Sequence, residues 1–443
     1  MDNTLTSGNL FKTMARFSVP YLISSFLQTF YGLADLFITG HFNGAAQVTA
    51  VSVGSQITHM LTVIIVGLAM GTTVSISHAI GASDKKRVAH TIGNSVIVFA
   101  IMAIVTMILL LFNTSNIVYL LNTPTESFNS AKSYLIVCFI GVPFIVAYNV
   151  ISSIFRGLGD TKSPMIFVGI AGVINVGLDY VLIGPFSMGA TGAAIATVLS
   201  QAVSVILALI AIRRLNMGIT LSKECFQIKD AITKKILYIG VPIACQDGLI
   251  QVSFLIITMI ANSRGLEIAT AVGIVEKVIS FLFLVPSAML STVSAITAQC
   301  VGAGLHERGQ KTLKYGVSFC IGFGAVVILI CQFMAPAIVS LFVQDEPQVV
   351  IYGAQYLRSY SADCLVAGIH FCFSGYFSAY GKSMYSFIHN VTSIIVVRIP
   401  GTYLASILFP ATLFPMGMAA PGGSLLSVII CLILYFRLKK RDL

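Results

Sequence analysis

The sequence predicts an all-α integral membrane protein, with twelve transmembrane helices in two parallel-repeat six-helix lobes around a central cavity. Three observations carry this. Of the 443 residues, 57% are hydrophobic and only 9% charged, with a mean hydropathy of +0.93, whereas a soluble domain carries about 25% charged residues. About a dozen apolar stretches of roughly 20 residues follow one another, each long enough to cross a bilayer as a helix. They lack the polar alternation of a lumen-facing strand, so helices are the structure that satisfies the backbone in lipid. Finally, the chain reads twice, at an offset of 221–222 positions.

The duplication is carried by order more than by any single match. Val19-Pro20 recurs as Val241-Pro242, Gly81-Ala82 as Gly302-Ala303, and Ile117-Val118 as Ile338-Val339. Tyr134-Leu135 recurs as Tyr356-Leu357, and Phe155 with Gly159 as Phe377 with Gly381. Beyond Gly381 the register slips by about six residues, where Phe186, Met188 and Gly189 find Phe414, Met416 and Gly417. Two similar halves with a substrate bound between them are a common design for transporters.

Taken in order, the spans fall at 14–40, 46–71, 91–112, 131–155, 163–184 and 189–212 in the first half. The second half gives 236–261, 266–295, 313–334, 352–379, 385–408 and 416–437. The fourth, eighth and tenth are long enough to be tilted or bent. The expected domains are an N-terminal lobe over 1–217, a cytoplasmic linker over 218–235 and a C-terminal lobe over 236–443. An even number of spans per half relates the halves by an axis along the membrane normal. The first apolar stretch is too long for a signal peptide and lacks a small-residue cleavage site.

Basic residues set the orientation. All of the 26 Lys and Arg except Lys132, Arg264, Lys277, Arg358 and Arg398 fall on one side of this span pattern. The opposite loops carry almost none, and 42–46, 113–130 and 342–351 are bare of Lys and Arg. This is the positive-inside pattern for a multi-pass protein of the plasma (cytoplasmic) membrane with both termini in the cytoplasm. It accounts for the net charge of +10 and leaves no basic domain face for nucleic acid. The nine Cys stand singly, without metal-ligand or disulfide spacing.

Ionisable residues inside spans are costly and are functional candidates by default. Asp35 lies late in span 1 as Gln28-x-x-Tyr31-x-x-x-Asp35, which places three polar groups on one face. Asp179 lies in span 5, one turn from Asn175. A helix-packing carboxyl, or one near a helix end that reaches the interface, is the plainer alternative for each. The second-half counterparts, Ile257 and about Gly401, are apolar or small. A scaffold role would survive in both copies, whereas a cation site in one lobe need not. Span 6 opens with Gly189-x-x-Gly192-Ala193-Ala194-x-Ala196-Thr197, small residues that allow close helix approach. Thr197 and Gln201 share a face there, as oxygen donors or as part of a packing groove. Pro20 removes a helix bond in span 1, giving either a static kink or a bend coupled to Asp35. In the second half Gln246, Asp247, Gln251, Glu276, Lys277, Arg358, Asp363 and Arg398 are polar candidates. Glu276 and Lys277 point about 100° apart on a helix, so each pairs with another helix or lines the cavity.

These motifs together resemble the multidrug and toxic compound extrusion (MATE) transporters over nearly the full chain. Ala34-Asp35 followed by Ile38-Thr39-Gly40-His41 is similar to the family's first-helix motif. Gly67-x-x-x-Gly71-Thr72, Gly81-Ala82-Ser83-Asp84, Phe155-Arg156-Gly157-x-Gly159-Asp160-Thr161, Pro164 and Arg398-Ile399-Pro400 resemble family signatures. Most specific are Asn175-x-x-x-Asp179 and the run from Gly189 to Thr197. The resemblance implies an amino-lobe cation site at Asp35, Asn175, Asp179 and Thr197, for H⁺ or Na⁺ and no other metal. One branch has a Glu on span 7 where this chain reads Asp247-x-x-x-Gln251, with Gln251 as the match. That places the chain nearer the DinF-like branch. The implied function is export of organic, cationic and amphipathic compounds by antiport with H⁺ or Na⁺, through alternating access. Gln28, Tyr31, Gln201, Asp247, Gln251, Glu276, Lys277 and Arg398 would face cavity or substrate. No cofactor is expected, and the partners would be small organic molecules and membrane lipid, with the protein a monomer.

The alternatives are a flippase for lipid-linked intermediates or polysaccharides from the same wider superfamily, and an intramembrane enzyme. The first usually has extra spans and a cationic cavity. The second needs a nucleophile–base pair or metal constellation, and neither HExxH, GxSxG nor GxxxxGK[ST] occurs.

Overall fold

The computed structural model describes residues 5–121, 123–214, 222–343 and 346–442, and every regular element among them is helical. The first half runs α1 (Leu10–Phe42), α2 (Ala45–Gly81), α3 (Lys85–Leu120), α4 (Thr125–Ile140), α5 (Val142–Leu158), α6 (Lys162–Ile183) and α7 (Gly189–Arg214). A 3-10 turn at Lys223–Phe226 leads to α8 (Asp230–Asn262). The second half repeats the order with α9 (Leu266–Leu282), α10 (Leu284–Gly302), α11 (His306–Ser340), α12 (Pro347–Tyr360) and α13 (Asp363–Ala379). Then α14 (Ser383–Ser393) passes through a π-helical segment, Ile394–Arg398, into α15 (Ile399–Leu408), and α16 (Phe414–Asp442) ends the fold.

Joining α4 to α5, α9 to α10, α12 to α13 and α14 to α15 gives the twelve expected spans. Ten stretches among the described residues are long and apolar enough to cross a membrane, and α4 with α5 makes an eleventh, bent by 49°. The twelfth is split into pieces of 14 and 17 residues. The breaks fall in the three long spans where bending was expected, and two of them have a plain cause. Pro143 at the start of α5 has no N–H for Phe139, and a Cβ on Gly141 would lie 2.4 Å from Val198 of α7. Pro286 likewise leaves the carbonyl of Leu282 without its donor, and α9 stops there. The π segment has a related origin. The Ile399 N–H reaches back to Ile394 O, a five-residue step, and Pro400, which follows, has no N–H to offer.

Six helices, α1, α3, α4, α8, α11 and α12, begin four or more residues earlier than expected. α1 starts at Leu10 instead of 14, and α8 at Asp230 instead of 236. Their first turns carry Lys12, Arg16, Lys234 and Lys235, so hydropathy alone does not see them as part of the helix.

By internal contacts the described chain divides into two compact units. One is Val19–Gly240; the other is Leu5–Ser18 with Val241–Leu443. The division thus falls beside Pro20 and Pro242, not in the linker expected at 218–235, part of which lies outside the described residues. The reason is visible at 222–240, which is built into the first unit. A Cβ on Gly93 would sit 2.0 Å from Cys225 O. The Asn94 side chain donates to Gln227 O (3.0 Å) and accepts from the Lys229 N–H (2.7 Å). In the second unit, Leu5 N–H donates to Gln299 Oε1 at 3.1 Å, and Leu10, Met14 and Phe17 join a core with Met289, Val293 and Ile296.

Within the first unit α2 is central and packs on α3, α4 and α5, while α6 pairs with α7. Small polar side chains hold it: Thr73 Oγ1 donates to Ser153 O (3.0 Å), and Ser77 Oγ to Gly157 O (3.2 Å). In the second unit α10 packs on α11 and α13. The outward face of α3 exposes Ile101, Ile104, Val105, Ile108, Leu109 and Phe112, a surface suited to lipid.

Candidate cation site

Three helices of the first unit converge on Asp35. Glycines on α6 let α1 come close: a Cβ on Gly172 would lie 3.3 Å from the Tyr31 ring, and one on Gly169 3.7 Å from Leu27. On α7, Ala190, Ala193, Ala194 and Ala196 are buried, and the first three share a hydrophobic core with Ile38 of α1. The Thr197 hydroxyl donates to Asp35 Oδ2 at 3.2 Å. Asp179 and Asn175 of α6 stand beside the same carboxylate. Asp35 is 4% exposed and Asn175 and Asp179 are 0% exposed, so the group is shut away from the surface.

Its polar capacity is not used up. Asp35 Oδ1, both oxygens of Asp179 and both amide atoms of Asn175 are buried with no hydrogen-bond partner among the described residues. Buried polar groups are normally paired, and an unpaired carboxylate costs several kcal/mol. Two adjacent carboxylates in such surroundings cannot easily both stay charged unless a proton or a cation joins them. Carboxylate, amide and hydroxyl oxygens suit a hard cation.

The rest of the polar face of α1 continues away from this group. Gln201 Nε2 donates to the Tyr31 hydroxyl at 3.4 Å, so Thr197 and Gln201 both meet α1. Gln28 lines a cavity of about 40 Å³ with Tyr21, Ser24, Ser152 and Arg156, room for a water molecule. Arg156 donates to Ser153 Oγ (2.6 Å) and lies over the Tyr21 ring. Pro20 sits inside α1, which continues through it as one helix.

A residue that the sequence reading passed over joins the site. Tyr134 of α4 is 2% exposed, fills the space left by Gly54, and lies within electrostatic reach of both Asp35 and Asp179. Its only signal was its repeat partner, Tyr356.

In the second unit Tyr356 stands near a different cluster, made by Glu276, Asp363 and Arg398. Thr258 donates to Glu276 Oε2 at 3.2 Å. Arg398, aimed by the π segment, donates to the Tyr360 hydroxyl and lies 4.8 Å from the Phe254 ring centroid. Lys277 is exposed and takes no part in this group. Asp247 and Gln251 are half-buried on α8, without hydrogen-bond partners among the described residues. Gln246 is buried, and Arg358 is tied to Gln332 O.

Each half of the chain matches the MatE family, over residues 20–181 and again over 242–404. The chain belongs to the MatE family. Both matches begin at the repeated proline, Pro20 and Pro242. This MatE chain is 28% identical over 402 residues to the probable multidrug resistance protein YpnP of Bacillus subtilis, covering 90% of this chain and 89% of the relative. It is 24% identical over 405 residues to the multidrug export protein MepA of Staphylococcus haemolyticus, covering 91% and 89%. The solved structure of a MOP superfamily transporter from Pyrococcus furiosus superposes with a TM-score of 0.92 at 22% identity, covering 98% and 97% of the two chains. That likeness shows the fold.

Proposed function

We propose that this chain exports small organic compounds, cationic and amphipathic in character, by antiport with H⁺ or Na⁺ through alternating access. The observation that carries the reading is the buried carboxylate pair Asp35 and Asp179, three of whose four oxygens have no hydrogen-bond partner among the described residues, with Asn175 beside it and Thr197 on the fourth oxygen. A transporter needs a group whose charge changes when the driving ion arrives, and five unpaired polar atoms in an apolar surround form such a group. The ion loads from the outside, substrate leaves, and discharge to the cytoplasm resets the carrier. Relatives named for multidrug resistance and export support a broad organic substrate range. The positive-inside distribution supports cytoplasmic termini. No cofactor enters this cycle, and a monomer suffices for it.

The test is transport by purified protein in proteoliposomes, with an imposed pH gradient or an imposed Na⁺ gradient, against a panel of organic cations. Movement of at least one cation should follow one of the two gradients and stop when it is collapsed. Transport indifferent to both gradients would sink the proposal.

A further inference from the structure

A second cluster in the first unit lies where α2 ends and α3 begins, and the carboxylate site does not use it. The turn between these helices passes through Ser83 (φ 57°), and Asp84 caps α3, its Oδ1 accepting the Arg87 N–H at 2.9 Å. Lys85, Lys86 and Arg87 then occupy the first turn of α3. Cations there oppose the helix dipole, so this placement works against helix stability.

The start of α8 brings more positive charge to the same place. Lys235 Nζ lies 2.9 Å from His78 Nδ1, and Lys229 Nζ lies 2.9 Å from His90 Nε2. An ammonium only donates, so His90 accepts at Nε2 and carries its proton on Nδ1. That Nδ1 is buried without a partner, as is the hydroxyl of Ser75, which is only 4% exposed. The Arg87 guanidinium adds a like charge near Lys235. Between these helices is a cleft of about 500 Å³, lined by Ser75, Lys86, Arg87, His90, Thr91 and Lys235. Asp84 is the one carboxylate on its lining, and it is engaged as the helix cap. The cleft therefore presents donors and positive charge with little to answer them.

The other half of the chain shows that the fold does not require this. At the repeat-equivalent positions Ser75 becomes Ile296, Lys86 becomes Glu307, Lys229 becomes Ser7 and Lys235 becomes Thr13. Ile296 is fully buried in a hydrophobic core. Arg308, the counterpart of Arg87, donates to the carbonyls of Ser7 (2.8 Å) and Gly8 (2.9 Å). Arg87 has no such acceptor among the described residues. The copy in the second unit is satisfied internally, and the copy in the first unit is not.

We propose that this cleft binds a phosphate group, the shared chemistry of an anionic phospholipid headgroup and of soluble phosphate. Arg87, Lys86 and Lys235 supply charge, and the Ser75 hydroxyl and His90 Nδ1 supply directed donors. The anion would tie the first turns of α8 to α2 and α3. Basic pockets between membrane helices on the cytoplasmic side suit such headgroups.

Binding to the purified full chain tests this in two arms. Native mass spectrometry compares retention of phosphatidylglycerol with phosphatidylcholine, and thermal unfolding compares inorganic phosphate with chloride at matched ionic strength. The variants are Lys86→Gln/Arg87→Gln, on the exposed turn where folding is not at stake, and Lys235→Thr, which installs the residue of the other half. Wild type should favour the anion, and each variant should reduce that preference about tenfold. Lys311→Gln, an exposed lysine of the second unit, should leave it unchanged. A preference seen only for phosphatidylglycerol assigns the site to a lipid headgroup, and a response to phosphate alone assigns it to the soluble anion. Absence of a preference in both arms, or a preference that survives in the charge variants, overturns the proposal.

Discussion

Asp35 and Asp179 carry the account at the scale of single residues. Asp35→Asn and Asp179→Asn should each abolish gradient-driven efflux in proteoliposomes while the protein still inserts and folds. Because neither oxygen of Asp179 has a hydrogen-bond partner among the described residues, Asp179→Asn should not lower the thermal midpoint; a residue kept for packing would show a loss of about 1–3 kcal/mol. Thr197→Val removes one hydrogen bond to Asp35, about 1 kcal/mol, and should weaken ion dependence about fivefold without abolishing it. The carboxylates were legible because an ionisable group in an apolar run is conspicuous. Thr197 was legible only as an oxygen donor or packing residue on the face it shares with Gln201, and the family resemblance alone tied it to the aspartates. Tyr134 was not legible as part of the site. Buried tyrosines are common, and nothing in its local sequence says that its helix passes the two aspartates.

At the scale of elements, prolines and glycines explain most of the departures from straight rods. The long fourth, eighth and tenth spans break, two of them beside Pro143 and Pro286. The π segment before Pro400 was not foreseen, because a five-residue step leaves the hydropathy pattern intact while it turns Arg398 toward Tyr360. Polar first turns hid the true starts of α1 and α8. The close approach of α2 to the start of α8 gives a direct prediction. A Cβ on Gly240 would sit 2.2 Å from Leu68 O, and one on Gly71 2.1 Å from Ile236 O. Backbone cannot give way as a flexible side chain does, so Gly240→Ala should cost about 1–3 kcal/mol, read as a lowered unfolding midpoint in detergent. An unchanged midpoint would mean that the two backbones are not in contact.

At the scale of the whole molecule, duplication is what the sequence showed most clearly, and the MatE match begins again at the second proline. The position of the boundary was not legible. Composition points to the polar stretch 218–235, but contacts divide the chain at Val19 and Val241, because 222–240 is bonded to α3 through Asn94. Tolerance to insertion should follow the contacts. A short flexible insert at 218–220 should leave transport intact, whereas the same insert at 224–226 should impair folding or transport by displacing Cys225 from Gly93. Equal tolerance at both places would contradict this division.

The central claim is that Asp35 and Asp179 together carry the driving ion. Infrared difference spectroscopy of the purified protein, through acidification and through Na⁺ addition, reads the carboxyl groups themselves. The account predicts a carboxyl signal in wild type, evoked by H⁺ or by Na⁺, that disappears in both Asp35→Asn and Asp179→Asn. A spectrum that neither ion changes, or a signal that persists in both variants, would contradict it.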